Sequence, residues 1–312
     1  MDIIFLEPVY KDYIWGGNRL KNEFGKNSPF EKTAESWEIS CNQNGICKVK
    51  NGEFQGKLLS EIYNDKKYKD RVFGTNCDKY EEFPILIKFI DATNNLSIQV
   101  HPDEEYAHKQ GFSYGKNEMW YVIDAKENSG IIAGMSKPVS KEELRDIVEN
   151  NKIKSYLNFV QVKEGDSIYI PAGTLHAILE GSFICEIQQN SDITYRVYDW
   201  DRVGKDGKPR ELHKKEAIDT IDSSYIPEIL HDTGESRQIL ANNNLFEVEK
   251  IICKEKIEMT TKTETFEAFN VIKGSGYING IEIKKGDSFI APACFGKYMI
   301  NGELELLRTI IK

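Results

Sequence analysis

Four side chains in the first half of the chain are of types that bind metal ions, and their spacing places them on strands. In the segment LSIQVHPDEEYAHK, Leu96 to Lys109, side chains two apart leave a strand on the same side. Ser97, Gln99 and His101 therefore share one face, while Leu96, Ile98 and Val100 share the other. Glu118 opens the apolar run of GKNEMWYVIDA, and His176 follows the turn in IPAGTLHAI and begins another strand. Two imidazoles, a carboxylate and an amide oxygen suit a catalytic zinc that keeps a position open for water or substrate. Taken singly, a strand histidine is more often a hydrogen-bonded core or surface residue, and Glu118 alone reads as an edge-strand carboxylate. Taken together, all four stand in strand patterns with apolar opposite faces, so a barrel would gather them in its mouth, a usual place for ligands. His108, His213 and His231 lie in polar helical or loop contexts and are expected to face solvent.

Positive charge recurs near these residues. In QQNSDITYRVYDWDR, strand alternation puts Thr194, Arg196 and Tyr198 on one face and Tyr195, Val197 and Asp199 on the other. The planar fork of Arg196 suits phosphate or a developing enolate oxygen. In the absence of a metal cluster, pairing of Arg196 with Asp199 or Asp192 in a surface ladder would be the simpler reading. Lys116 precedes Glu118 by two positions on the same face, and Lys88 sits inside the apolar strand PILIKFIDA, where burial is costly without a partner or a function.

The elements that must position these groups are mainly β. Most periodic segments are short, rich in Val, Ile, Tyr and Phe, and punctuated by Gly, Asn and Asp. Helices are expected as insertions: one from Pro102-Asp103-Glu104-Glu105, one capped by Ser140 and Glu143 before LRDIVENNKI, and others at KLLSEIYND and HKKEAIDTID. KEGDSIYIPAGTLHAI from Lys163 matches KKGDSFIAPACFGKYMI from Lys284 at a constant offset of 121 (286 − 165 and 292 − 171). Such a repeated strand-turn-strand unit predicts two related, unequal β-barrels. In the second copy Lys297 stands in place of His176 and no Q-x-H occurs; Glu267 falls near the place of Glu118, but it lacks histidine partners, and no catalytic metal is expected there. The division expected is 1–230 with the metal site and 231–312 without it.

The net charge of −9 and pI near 5.3 argue against a nucleic-acid-binding surface, while an anionic small molecule stays compatible with locally gathered cations. No apolar run reaches the roughly 20 residues that span a bilayer, and MDIIFLEPVYKDYIWGG lacks the basic start of a signal peptide. The six cysteines form no C-x-x-C pair, so free thiols and cytoplasmic residence are the expectation.

The stretches YIWGG, ESWEIS, PILIKFIDATNNLSIQVHPDEEYA, GKNEMWYVIDA, IPAGTLHAI and QNSDITYRVYDWDR resemble the type I mannose-6-phosphate isomerases (phosphomannose isomerases) of the cupin superfamily, in their short bacterial form. The resemblance spans Tyr13 to Arg202 and implies cupin-type jelly-roll barrels with helical insertions. It implies one zinc per chain on Gln99, His101, Glu118 and His176, with Arg196 as the active-site arginine. It also implies interconversion of mannose 6-phosphate and fructose 6-phosphate. Glu118 and His176 are only 58 positions apart (176 − 118), where longer members insert a helical domain. An aldose-ketose isomerisation through a cis-enediol needs a base, a stabiliser of negative charge on oxygen and a phosphate anchor. Arg196 would stabilise the enediolate or hold the sugar, and Lys116 would contact phosphate or a hydroxyl. Lys116, Glu38 of ESWEIS and a metal-bound water are all admissible bases. Trp15 of YIWGG would close over the sugar or serve the core, and Lys88 is a further substrate contact. The expected partner is a phosphorylated hexose, with no nucleic acid or membrane, and the chain is expected as a monomer or small homo-oligomer. Two competing readings use the same scaffold: an Fe(II) oxygenase on two histidines and a carboxylate, and a sugar-phosphate-binding cupin without catalysis.

Overall fold

The computed structural model describes residues 1–204 and 207–312. The fold is mainly β and antiparallel. A five-stranded sheet runs in the order Leu157–Gln161, Gly130–Met135, His176–Ile178, Ile98–Val100, Tyr195–Tyr198. A seven-stranded sheet runs Ile229–Leu230, Ser167–Ile170, Glu118–Ala125, Ser182–Gln189, Ile85–Asp91, Glu35–Ile39, Val9–Lys11. The inner faces of these sheets meet around Trp120, Val122, Ile131, Ile168 and Ile184, a dry cluster that closes one end of the space between them.

Both sheets are covered on their outer sides. The helices Lys141–Glu149 and Lys214–Thr220 lay Leu144, Ile147 and Ile218 against Ile98, Val100 and Val197 of the five-stranded sheet. The first of these helices carries the expected capping box: Ser140 Oγ accepts the Glu143 N–H and the Glu143 carboxylate accepts the Ser140 N–H. Helices also form at Leu59–Asn64 and at Glu104–Lys109, the latter capped by Asp103. No helix of the described residues is long and apolar enough to cross a membrane.

The outer face of the seven-stranded sheet packs Ile85, Ile87, Phe89, Met119 and Phe183 against Phe73, Phe83, Phe246, Phe266 and Leu307. Every residue of Ile85–Asp91 and Ser182–Gln189 is consequently buried, which explains why these strands read as continuous apolar runs rather than alternating ones. The opposing layer is a nine-stranded sheet built mostly from residues beyond Arg237, with the first strand of the chain, Ile4–Glu7, laid between Ser288–Ala291 and Lys48–Val49.

The 121-residue repeat is a repeat of structure. Gly165 and Gly286 take φ of 89° and 96°, a left-handed turn that glycine enters without steric cost. Asp166 and Asp287 each accept the N–H of the lysine three positions earlier, Lys163 and Lys284. Ser167–Ile170 then pairs with the strand that Glu118 opens, and Ser288–Ala291 with the strand that Glu267 opens.

Phe266 is fully buried between the layers, with Phe73 and Phe83 at 5.7 and 5.6 Å between ring centroids. Phe266→Ala leaves a cavity there and is expected to cost about 3–5 kcal/mol of stability, read as a lower urea midpoint at unchanged slope.

Candidate metal centre and substrate cavity

Register brings the candidate ligands together. His176 pairs with Gln99, and Gln99 in turn pairs with Arg196, so three neighbouring strands of one sheet point these side chains inward. Glu118 projects from the facing sheet, where it lies opposite Ile170 and Gln188. The Nε2 atoms of His101 and His176 stand 3.1 and 3.6 Å from the two carboxylate oxygens of Glu118. Gln99 Nε2 lies 3.5 and 3.4 Å from the same two imidazole nitrogens, and a half-turn of that amide presents its oxygen instead.

The far side of each imidazole is fixed by the backbone. His101 Nδ1 donates to Ile193 O at 2.7 Å and His176 Nδ1 to Thr174 O at 2.8 Å, which leaves both Nε2 lone pairs facing Glu118. Burial, with the nearby Lys116 ammonium, pulls His101 down to about 3, and burial also lowers His176. Burial alone would raise Glu118, but Lys116, His101 and His176 outweigh it and hold the carboxyl well below its usual range. The cluster is therefore two neutral imidazoles and one carboxylate, with ligand atoms all within 4.8 Å of one another, and could hold a metal ion. Lys116 Nζ sits beside it, 2.9 Å from Glu118 Oε1 and 3.2 Å from His101 Nε2.

A cavity of about 380 Å³, the scale of a small-molecule site, opens beside the His-Glu-His cluster, at Gln99 and Lys116. Gln99, Lys116 and Trp120 line its inner part. Lys88 lies further along, its Nζ 2.6 Å from Glu186 and 3.7 Å from Glu35. Burial opposes the charge of Lys88, but Glu186, Glu35 and Glu118 together keep it firmly protonated. Glu186 is pushed up to about 7, by burial first and by Glu118 second. Trp120 Nε1 donates to Glu186 at 2.8 Å and to Glu118 at 3.1 Å, which ties the two carboxylates together. At the mouth stand Trp15, Arg196 and Arg210.

The structure therefore brings Gln99, Lys116, Lys88, Trp15 and Arg196 to one cavity and places His101, Glu118 and His176 together beside its inner part. It does not bring Glu38. Glu35 and Trp37 face the cavity, so Ser36 and Glu38 face the opposite way, where Glu38 pairs with Lys26 at 2.6 Å and accepts from Ser36 Oγ at 2.5 Å. Two other expectations change. A bulge after Arg196 turns Tyr198 away from the cavity into the helix-covered core, and Asp199 binds Arg202 and Arg210 rather than Arg196. His108 and His231 are exposed, whereas His213 is half-buried and its Nδ1 accepts the Arg196 N–H at 3.2 Å.

Sequence reasoning missed Glu186, Gln188 and Arg210. The first two had the same signal as Lys88, polar groups within an apolar strand, and Glu186 is in fact the cross-strand partner of Lys88. Arg210 lies in the polar stretch KDGKPRELH, which has no period that could point a side chain anywhere.

The residues 3–131 match the family model for the catalytic domain of type I phosphomannose isomerase, and residues 237–311 match that for the cupin domain of mannose-6-phosphate isomerase. The chain is 39% identical to a mannose-6-phosphate isomerase of Streptococcus mutans over 98% of this chain and 97% of that one. It is 38% identical to a mannose-6-phosphate isomerase of Bacillus subtilis over 97% of each. A crystal structure of mannose 6-phosphate isomerase from Bacillus subtilis superposes with a TM-score of 0.85 at 36% identity, covering 99% of both chains. With identity of this order along its whole length, and with a buried His-Glu-His cluster beside a cavity, the chain belongs to the type I phosphomannose isomerase family of enzymes.

Proposed function

We propose that the chain interconverts mannose 6-phosphate and fructose 6-phosphate through a cis-enediol, with one zinc ion on Gln99, His101, Glu118 and His176. The observation that carries this is the donor set itself. Two neutral imidazole nitrogens converge on a buried carboxylate, 3.1 and 3.6 Å from its two oxygens, at the inner end of a cavity of substrate size. Nitrogen and oxygen donors of this kind fit zinc, and the fixed Nδ1 bonds are the outer support such ligands need. When bound, zinc supplies Lewis-acid polarisation of the substrate's C1 and C2 oxygens. Gln99 as a fourth protein donor weighs against the Fe(II) oxygenase reading, which requires open positions beside two histidines and one carboxylate.

The chain's own residues do the rest. Lys116, whose amine nitrogen lines the inner cavity, takes the C2 proton in its neutral form and, as the resulting ammonium, returns it at C1; of the two protein bases the sequence admits, it alone faces the substrate space. Arg196 reaches in from the strand beside Gln99 and stabilises negative charge as it develops on oxygen. Lys88, held charged between Glu186 and Glu35, and the ring of Trp15 position the sugar. Residues 231–312, with the strand Ile4–Glu7, form a second cupin-like unit that backs the seven-stranded sheet. Six free cysteines fit a reducing compartment, and we place the enzyme in the cytoplasm.

In a coupled assay for fructose 6-phosphate, activity is expected to vanish on chelation and to return with zinc. A zinc-replete protein without activity overturns the reading. Arg196→Gln removes charge stabilisation specific to the transition state, so kcat should fall about 10²–10³-fold with little change in KM. Protonation gives a third measurement, on the chelated protein. His101 and His176 bind protons less readily folded than unfolded, so the unfolded chain takes up more protons as pH falls below 6.5. Stability is therefore lost from there down to about 3 for His101, and Glu118, whose carboxyl is depressed, acts in the same direction at lower pH. Urea midpoints of the chelated protein should drop between about pH 7 and pH 5, and less so in His101→Gln.

A further inference from the structure

A second cavity, of about 470 Å³, lies beside the first and has a different chemistry. The two share only Ser191 and Asp192 in their linings, and Asp192 accepts from the side-chain amide of Asn44, which lines the first cavity alone. Lys88, Lys116, Arg196 and Arg210 line the first cavity, whereas among the described residues no lysine, arginine or histidine lines the second. A phosphorylated sugar would bring its negative charge there without a partner, so the substrate of the first cavity is the wrong ligand for the second.

Amides, hydroxyls and aromatic rings line it instead. Asn42 and Gln43 come from the hairpin of Cys41–Asn42 and Gly45–Ile46, Ser60 and Asn64 from the helix Leu59–Asn64, and Asn190 from the residue that follows the strand Ser182–Gln189. Tyr63, Phe83 and Tyr114 are buried in the wall, while Phe112 stands 46% exposed. The loop that carries Phe112 is pinned: His108 Nε2 donates to Ser113 O at 3.0 Å, and Tyr114 Oη to Glu82 O at 2.6 Å. Both carboxylates of the lining already accept from neutral groups, Glu82 from Ser113 Oγ at 2.7 Å and Asp192 from Asn44, which leaves no acid waiting for a cation. One polar group is left open. Asn190 is only 6% exposed, yet its Oδ1 has no hydrogen-bond partner among the described residues. A buried acceptor of this kind is costly unless a donor comes from outside the protein.

We propose that this cavity is a second binding site, for an uncharged saccharide. A side-chain amide offers donors and an acceptor together, and each sugar hydroxyl both donates and accepts, so the four amides match a ligand rich in hydroxyls. The C–H face of a sugar ring is apolar, and the exposed ring of Phe112 gives it a surface to lie on. The space is larger than the 380 Å³ of the cavity read as holding one hexose phosphate, so a hexose ring fits. The absence of cations from the lining separates the two sites by charge: the phosphorylated sugar goes to the first, the unphosphorylated one to the second.

The test uses the zinc-replete, full-length protein and mannobiose, a neutral two-ring sugar, as the probe. Calorimetry is run with and without an excess of mannose 6-phosphate and fructose 6-phosphate at equilibrium, which fills the first cavity. Mannobiose should bind at one site per chain in both conditions. Phe112→Ala removes an exposed ring and Asn190→Ala the open acceptor, and each should weaken mannobiose binding about 3–10-fold while kcat and KM for mannose 6-phosphate stay at their wild-type values. Asn64→Ala, at the exposed end of its helix, should act in the same direction and replaces Asn190→Ala if that variant fails to fold. A wild-type protein that binds no mannobiose, or binding that Phe112→Ala and Asn64→Ala leave unchanged, overturns the second site. Binding that the hexose phosphates compete away places the sugar in the first cavity and overturns it equally. Each of these results leaves the isomerase reading standing, and loss of isomerase activity in the wild type would leave the second site untouched.

Discussion

A fully buried carboxylate governs the arrangement of the first two sheets. Glu118 has no solvent access, and an isolated anion in that position would cost many kcal/mol or take up a proton. It stays charged because Lys116, His101 and His176 surround it, and these come from a neighbouring position on its own chain segment and from two strands of the opposite sheet. The facing sheets must therefore keep one register. A slip of one residue in Ile98–Val100 would send Gln99 into the helix-covered core and bring an apolar side chain against Glu118. The outer packing of Ile98 and Val100 under the helices opposes that slip, so the apolar core behind the strand and the polar cluster before it specify the same pairing.

The same framework is solved differently in the second copy. Glu118 lies opposite Ile170, and Glu267 lies opposite Ala291, 121 residues later, so the two carboxylates occupy equivalent register positions. Around Glu267 there are no histidines; Arg308 donates to it at 2.8 Å and Tyr298 Oη also donates. Burial pushes Glu267 up, yet its partners are fixed protein groups that complete its hydrogen bonding. Around Glu118 the equivalent room is taken by Lys116 and by two imidazoles whose Nε2 lone pairs face the carboxylate. One strand framework thus supports a carboxylate closed by an arginine and a tyrosine in one place and a donor set with uncommitted lone pairs in the other. What separates a scaffold from a site here is whether the groups around the buried charge keep lone pairs that the protein does not use.

Outward from Glu118, charge is organised in steps. Trp120 links Glu118 to Glu186, Glu186 lies across from Lys88, and Lys88 approaches Glu35. Each partner limits the freedom of the next, so the inner cavity presents fixed dipoles rather than mobile side chains, the condition under which electrostatic stabilisation needs little rearrangement. The mouth is arranged on another principle: there one carboxylate, Asp199, is shared by two guanidiniums, those of Arg202 and Arg210.

How far this could be read from sequence depends on whether a residue's direction follows from local periodicity. Gln99, His101, Glu118, His176 and Arg196 were legible because each has strand neighbours of fixed alternation and an apolar opposite face. Glu38 was misread because Glu35–Ile39 is buried on both sides; the nine-stranded sheet covers its outer face, and alternation alone cannot say which buried face is the cavity. The Lys88–Glu186 pair was half-visible, since each is a charge in an apolar run, but only cross-strand register makes them partners. Arg210 was invisible for a different reason. It is held by Asp199, which directly follows the strand Tyr195–Tyr198 and is succeeded by two left-handed residues, and nothing in the side chains of Trp200 or Asp201 announces that conformation. Periodicity thus locates groups carried by regular strands, whereas groups held by a shared counter-ion beyond a strand's end become readable only when tertiary contacts are known.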